Sequence, residues 1–216
     1  MRKKPRKPVG VSGAIWVTSA GPKFQTVPFP ETKEEIEAYI AQSFSSQVLP
    51  GGLVIRSIHQ NKQNDFDFTV KTSEGSKFLE LMEIAPLENL RGSYELAPST
   101  YKPYDFAGYI LAKVLGKSSR YAGVRKSKIV LLLYVTDWSF SLSETTISLL
   151  QFWLTTNEHC FEYVFLHEPT DTNSGKTHIL APTRKTHWLT FDPESYRDNE
   201  VRNLSPLGWH MVRDDG

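Results

Sequence analysis

Apolar and polar side chains alternate most regularly between residues 65 and 70, and the residues that follow predict a β-hairpin. The two alternating sets are Phe66, Phe68 and Val70 against Asp65, Asp67 and Thr69. A period of two is typical of a strand with one buried face. Turn-forming residues occupy 73–76, and a more continuously apolar second strand follows at 78–84.

Helical periodicity appears in three other segments. The first helix begins at Thr32, which forms a capping box with Glu35, and apolar residues then recur at every fourth position. The second runs from a cap at Asp105 to Gly116, and the third follows a capping box at 141–144. Three further strands are predicted at 53–59, 129–135 and 161–166.

The segment 129–135, IVLLLYV, has no polar face. A strand of this kind belongs in the middle of a sheet that is covered on both sides. Together with the helices it predicts an α/β fold with a mixed central β-sheet flanked by helices.

Composition narrows the class of protein. The chain has 216 residues, of which 39% are hydrophobic, and a net charge of +1, which fits one globular domain. We divide it into a basic N-terminal arm with an extended segment (1–30), an α/β core (31–169) and a C-terminal extension (170–216). The single cysteine, Cys160, excludes an internal disulfide and a cysteine-based zinc cluster. With a single cysteine, we expect a reducing, cytoplasmic setting. No apolar run could span a bilayer and none follows the basic N-terminus, so we expect neither membrane contact nor a secretory signal.

The acidic residues of the hairpin are placed unusually for a strand. Asp65 and Asp67 share one face, and Glu80 lies within the apolar run of the next strand. Carboxylates are seldom buried without a partner, and paired strands lie only ~5 Å apart. The acids therefore predict a site for a hard divalent cation such as Mg²⁺ or Mn²⁺. A solvated face of an antiparallel hairpin is the alternative interpretation.

Basic residues are concentrated in two segments. Residues 1–9 form a Pro-broken basic arm, and the predicted loop at 116–128 carries the densest basic patch inside the folded region. The loop residues that could contact nucleic-acid phosphates are Lys117, Arg120, Arg125, Lys126 and Lys128. An ordinary solvated connector would have the same composition.

The order helix, strand, acidic hairpin, helix, buried strand, helix, strand resembles that of the restriction-endonuclease-like, or PD-(D/E)XK, nuclease superfamily. The resemblance covers residues 32–167. The family signature is an Asp near the start of the second strand followed by (D/E)-X-K on the third, which here matches Asp67, or Asp65, with 80–82. The chain departs from the signature at its third position, where Met82 replaces lysine.

The resemblance implies a metal-dependent hydrolase of phosphodiester bonds. Asp67 and Glu80, with Asp65 as a further ligand, would hold Mg²⁺ or Mn²⁺, and the Leu81 carbonyl would add another oxygen. Because methionine has neither charge nor a proton to donate, another lysine would be needed. Lys113 on the second helix is the first choice and Lys77 a weaker one. Glu37 or Glu34 on the first helix could complete the metal shell.

Met82 also supports a second hypothesis, a catalytically inactive nuclease fold that binds nucleic acid or a protein partner. Other catalytic motifs are weaker. Nucleotide-binding loops of the G-x-x-x-x-G-K-[ST] and G-x-G-x-x-G types are missing from the sequence, and no histidine pair has helical metal-binding spacing. His167, which ends an apolar strand, is expected to be structural. Oligomeric state is not specified by any feature of the sequence.

Overall fold

The computed structural model describes residues 10–19, 21–27, 29–61, 66–85, 100–121, 123, 128–136, 140–183 and 188–202. Three residues predicted to act at the site, Asp65, Arg125 and Lys126, lie outside these ranges. The basic residues of the N-terminal arm also lie outside them.

Three helices and ten strands form the described part of the chain. The helices are α1 (Lys33–Ser45), α2 (Pro103–Ser119) and α3 (Glu144–Thr156). The strands are β1 (Gly10–Thr18), β2 (Gly21–Val27), β3 (Ile55–Gln60), β4 (Phe68–Thr72), β5 (Gly75–Glu83), β6 (Thr100–Tyr101), β7 (Ile129–Tyr134), β8 (Tyr163–Pro169), β9 (Gly175–Ala181) and β10 (Val201–Arg202). From α1 to β8, the helices and the main strands follow the predicted order.

Six strands form the central sheet, in the order β3-β4-β5-β7-β8-β9. The inner pairs β5-β7 and β7-β8 are parallel, and the outer pairs are antiparallel. Strands β1 and β2 form a separate hairpin, and the short strands β6 and β10 pair with each other. The predicted α/β class with a mixed central sheet is therefore confirmed.

Two hydrophobic clusters cover the two faces of this sheet. Helix α1 packs on one face, where Leu79, Leu81 and Leu132 point, and helices α2 and α3 pack on the other. Every residue of β7 is buried, which confirms that its apolar run lies in the middle of a covered sheet.

The helix ends follow from local chemistry. Thr32 caps α1 through the predicted box with Glu35. Helix α2 begins earlier than predicted, at Pro103, because a proline at the first helical position needs no hydrogen-bond acceptor and has a helical φ angle. It also continues through Gly116, where a glycine costs only about 1 kcal/mol relative to alanine. This extension places Lys117 on the helix instead of in a loop.

Strand β9 lies within the region predicted as a C-terminal extension. It pairs with β8 from Val164/Ala181 to Pro169/Gly175, so the sheet continues beyond residue 169. Among the described residues no helix has both the length and the apolar character needed to cross a membrane.

Candidate active site

The candidate site lies where strand β5 extends past its neighbour β4. The two strands pair from Phe68/Leu79 to Thr72/Gly75, so the following residues of β5 have no β4 residue opposite them. Both backbone groups of Leu81 bond to side chains there. Its N–H donates to Oδ2 of Asp67 at 2.7 Å, and its carbonyl oxygen accepts from Nζ of Lys117 at 2.8 Å.

Glu80 lies on the α2 side of β5, and its carboxylate contacts the same lysine. Oε1 of Glu80 is 2.7 Å from Nζ of Lys117. Oε2 is buried and has no hydrogen-bond partner. The side chain of Glu80 is 9% exposed, so this second oxygen is also shielded from solvent. A buried carboxylate oxygen without a protein partner is costly, and a water molecule, an ion or a ligand can complete its coordination.

Lys117 was predicted to contact phosphates from the loop at 116–128, whereas Lys113 was predicted to replace the motif lysine. The structure brings Lys117, and not Lys113, to the acids. Lys113 lies one helical turn earlier, with Nζ 5.3 Å from the centre of the Tyr109 ring. Lys77 is buried in a separate cluster with Glu162 and Glu74, at 2.6 and 3.0 Å.

Glu37 on α1 adds a third carboxylate to the surroundings of Asp67. Its side chain is 11% exposed and accepts from Nζ of Lys33 at 3.3 Å. Burial raises the pKa of Glu37, the charge of Asp67 raises it further, and Lys33 and Lys117 oppose this shift. Asp67 and Glu80 in turn contribute to a raised pKa of Lys33, after the larger effect of Glu37. Glu34, the other candidate on α1, is exposed.

An aromatic stack closes the site on the α2 side. The rings of Phe66 and Phe78 are stacked with centroids 4.3 Å apart, and Tyr121 stacks on Phe66 at 5.0 Å. The charge of the Glu80 carboxylate acts on the hydroxyl of Tyr121. Burial and this neighbouring charge raise the pKa of Tyr121, which therefore remains a neutral donor at physiological pH.

The remaining predicted phosphate contacts that the structure describes are Arg120 and Lys128. Both side chains are exposed, Arg120 at the C-terminal end of α2 and Lys128 immediately before β7. They have no role in the packing of the site and are available to an anionic ligand.

The donor set was tested for its fit to a divalent cation. Within the described ranges no group of three His, Cys, Asp or Glu side chains could hold a metal ion. A smaller set has suitable donor chemistry, namely the carboxylates of Asp67, immediately before β4, and of Glu80 on β5, together with the carbonyl oxygen of Leu81. These are hard oxygen donors of the kind that Mg²⁺ and Mn²⁺ prefer, and Oε2 of Glu80 has no protein partner. Nζ of Lys117 currently contacts two of these three donors.

His167 is separate from this site. It is fully buried, with Nδ1 2.8 Å from Oγ1 of Thr177 and Nε2 3.0 Å from Oγ of Ser43. Burial lowers its pKa to about 4, so it is neutral at physiological pH. These contacts link α1, β8 and β9, which agrees with the predicted structural role.

Comparison of the chain with protein-family models, with curated proteins and with solved structures gave no match. Evidence on function therefore comes from the residues of the chain itself.

Three features of the site were missed by the sequence reasoning. They are the contact of Lys117 with Glu80, the Lys33–Glu37 pair and the hydroxyl of Tyr121. The first two had visible signals. Lys117 is four residues after Lys113 and hence on the same helical face, and Lys33 is four residues before Glu37.

Proposed function

We propose that this protein is a metal-dependent nuclease that hydrolyses phosphodiester bonds, with a restriction-endonuclease-like core in which Lys117 replaces the lysine missing at Met82. One observation carries the proposal. Lys117 reaches the site from α2 and contacts both the carboxylate of Glu80 and the carbonyl oxygen of Leu81. A lysine in this position is adjacent to the two residues that correspond to the (D/E)-X part of the family signature.

The residues divide the chemistry between them. Asp67, Glu80 and the Leu81 carbonyl would hold Mg²⁺ or Mn²⁺, which lowers the pKa of bound water and stabilises charge on a phosphate. Lys117 donates hydrogen bonds to a non-bridging phosphate oxygen and stabilises the negative charge that develops there. Arg120 and Lys128 bind the flanking phosphates without reading sequence.

Burial strengthens these interactions. The carboxylate of Glu80 and the ammonium of Lys117 are both largely shielded from water, with 9% and 16% of their side chains exposed. Charge interactions are stronger in such a setting than in bulk solvent. Lys117 is also fixed by the helix and by two short contacts, so it needs little reorganisation before it acts.

A second candidate function is supported by the same ion pair. Lys117 already neutralises Glu80, and Met82 cannot take part in proton transfer. A catalytically inactive nuclease fold that binds nucleic acid or a protein partner would have both the Lys117–Glu80 ion pair and a methionine at position 82.

A cleavage assay separates the two candidates. Wild-type protein, Asp67→Asn and Glu80→Gln are incubated with supercoiled plasmid and with single-stranded DNA and RNA in Mg²⁺ or Mn²⁺. Metal binding is measured by calorimetry. Wild-type cleavage that requires the metal and is lost in both variants supports the nuclease. If the wild-type protein neither binds metal nor cleaves any substrate, the nuclease is rejected and the inactive binding module is the function that remains.

The matched control is Lys176→Met. Lys176 lies on the edge strand β9, and its exposed ammonium is 3.3 Å from Oε1 of Glu144. Surface pairs of this type contribute little to stability, so this variant should cleave at the wild-type rate. Circular dichroism checks that every variant is folded.

A further inference from the structure

Strands β3, β4 and β5 present a solvent-accessible face that begins beside Glu80. Strand register and side-chain alternation place two rows of residues on this open sheet face. The first row is His59, Thr69 and Phe78, and the second is Ser57, Lys71 and Ser76. Thr69 and Phe78 are half-buried and the other four are exposed. The alternate residues Phe68 and Val70 point to the opposite face, where α1 packs, and are buried.

An aromatic ring ends the row that is nearest to the candidate site. Phe78 is two residues before Glu80 on the same face of β5, roughly 7 Å away along the strand. Its ring is nearly parallel to that of Phe66, with 9° between the planes. Phe66 also stacks on Tyr121 and packs against the hydrophobic cluster of α2 and α3, whereas neither cluster of described residues includes Phe78. Phe78 is therefore the outer ring of the stack, where a further flat ring can be added.

The open sheet face includes a lysine and no acidic residue. Lys71 is exposed and forms no ion pair with a residue that the structure describes. Glu74, in the turn between β4 and β5, instead contacts Nζ of Lys77 at 3.0 Å and the hydroxyl of Tyr163 at 3.1 Å, on the side of the sheet where α1 packs. Lys71 lies opposite Ser76, about 13 Å along β5 from Glu80. A chain of anionic units that passes over Phe78 reaches this lysine next.

These features favour a single nucleic-acid strand over a duplex. The bases of a duplex are stacked on one another inside the helix, so a ring on the surface of a sheet cannot contact their flat faces. Unpaired bases expose these faces, and stacking on aromatic side chains next to a positive charge is a general way of binding single strands. The hydroxyl groups of Ser57, Thr69 and Ser76 can add hydrogen bonds to the phosphates and sugars.

We propose that the open sheet face binds single-stranded nucleic acid, with one base stacked on Phe78 and a phosphate of the same strand bound by Lys71. From Phe78 the strand continues towards Glu80, so the open sheet face names the substrate class of the candidate site. This inference rests on the proposed function, because it takes nucleic acid as the ligand of that site.

The test is a binding measurement in EDTA, where metal-dependent cleavage does not occur. A fluorescently labelled oligothymidylate is titrated with wild-type protein, Phe78→Leu and Lys71→Met, and the anisotropy is recorded at several salt concentrations. Loss of base stacking should weaken binding of Phe78→Leu by roughly 5-fold or more. Loss of one phosphate contact in Lys71→Met should reduce the slope of log Kd against log salt concentration by about 0.7.

Two controls remove the same chemical groups elsewhere. Phe152→Leu removes a half-buried ring from α3, and Lys176→Met removes an exposed ammonium from β9. Both should bind the strand like wild type. Thermal melts verify that all variants are folded, and Lys71→Met changes only an exposed side chain, so it tests the open sheet face even if Phe78→Leu is unstable.

The outcomes separate this inference from the proposed nuclease. Wild-type affinity of Phe78→Leu for the strand, or an unchanged salt slope of Lys71→Met, overturns the open sheet face. An equal loss of affinity for the strand and for its duplex with oligoadenylate in Phe78→Leu also overturns it, because the bases of a duplex stay stacked. Weaker binding of the strand alone by Phe78→Leu, in a protein that cleaves nothing, supports the open sheet face and rejects the nuclease. Metal-dependent cleavage by a protein whose strand binding is unchanged in both variants does the reverse.

Discussion

The ammonium of Lys117 lies 2.7 Å from Oε1 of Glu80, and the same nitrogen donates to the carbonyl oxygen of Leu81 at 2.8 Å. A positive charge from the protein thus occupies a position bounded by two of the oxygens that would bind a divalent cation. In the proposed site the lysine would compete with the metal for these oxygens, and this relationship gives two measurable consequences.

The first prediction concerns Lys117→Met, which should lose cleavage and gain affinity for the metal. Removing a charged donor from the transition state typically lowers the rate by at least 10²-fold. Removing the competing ammonium should tighten Mg²⁺ or Mn²⁺ binding roughly tenfold, which corresponds to ~1.4 kcal/mol. Calorimetry and the plasmid assay measure the two effects on the same preparation, with Lys176→Met as the control. Unchanged cleavage by Lys117→Met would show that the lysine has no catalytic role.

The second prediction concerns stability without metal. A lone buried charge costs about 3–5 kcal/mol, so Lys117→Met should be strongly destabilised. The double variant Glu80→Gln/Lys117→Met no longer carries that charge and should lose less than the sum of the two single variants, with a coupling energy of about 0.5–3 kcal/mol. Urea unfolding in EDTA gives the three values. Additive losses would mean that the pair is not coupled in solution.

Local signals were sufficient for much of the fold. The capping box at Thr32 and the apolar run of β7 are each defined by a few consecutive residues, and both predictions were confirmed. The end of α2 was predicted wrongly at Gly116, because the propensity of one glycine was given more weight than the burial of the whole helix. As a result, Lys117 was predicted to lie in a loop, although it belongs to α2.

The candidate site depends on distances that the sequence pattern does not contain. Asp65 and Asp67 share one face of the predicted strand, so alternation alone cannot separate them. The bond from Leu81 to Asp67 arises because β5 extends beyond β4, which is a property of the strand offset. Whether Lys113 or Lys117 contacts Glu80 depends on which turn of α2 packs against that part of β5. Packing across the whole sheet determines this position.

The third prediction tests how tightly β8 and β9 pack. A Cβ added at Gly175 would lie 2.4 Å from Cε1 of His167 and 2.8 Å from the carbonyl oxygen of Glu168. Neither atom can move freely, because the histidine is fully buried and the oxygen belongs to the backbone. We therefore expect Gly175→Ala to be destabilised by about 1–3 kcal/mol.

Gly108→Ala is the matched control for this substitution. Gly108 lies within α2, and a Cβ there would meet nothing within 4 Å. The variant should be more stable than wild type by about 0.5–1 kcal/mol, because alanine favours the helix. Urea denaturation compares the two glycine variants directly. A neutral Gly175→Ala would contradict the tight packing around His167.

The fourth prediction concerns pH and His167. Burial lowers the pKa of this histidine from 6.5 to about 4. Because the folded state favours the neutral ring, its contribution to stability is complete above pH 6.5 and is lost as the pH falls from 6.5 towards 4. Lowering the pKa from 6.5 to about 4 corresponds to about 3 kcal/mol of unfolding free energy.

His167→Gln isolates this effect, because glutamine can hydrogen-bond Ser43 or Thr177 but does not titrate. Two nearby groups also titrate: burial lowers the pKa of His178, which acts in the same direction, and raises that of Glu168, which acts in the opposite direction. Both are present in wild type and variant, so they cancel in the difference between the two curves. The variant should be less stable than wild type at pH 7, and the gap should shrink by about 3 kcal/mol between pH 6.5 and 4. Urea unfolding at a series of pH values measures the gap, and parallel curves would show that His167 titrates normally in the folded protein.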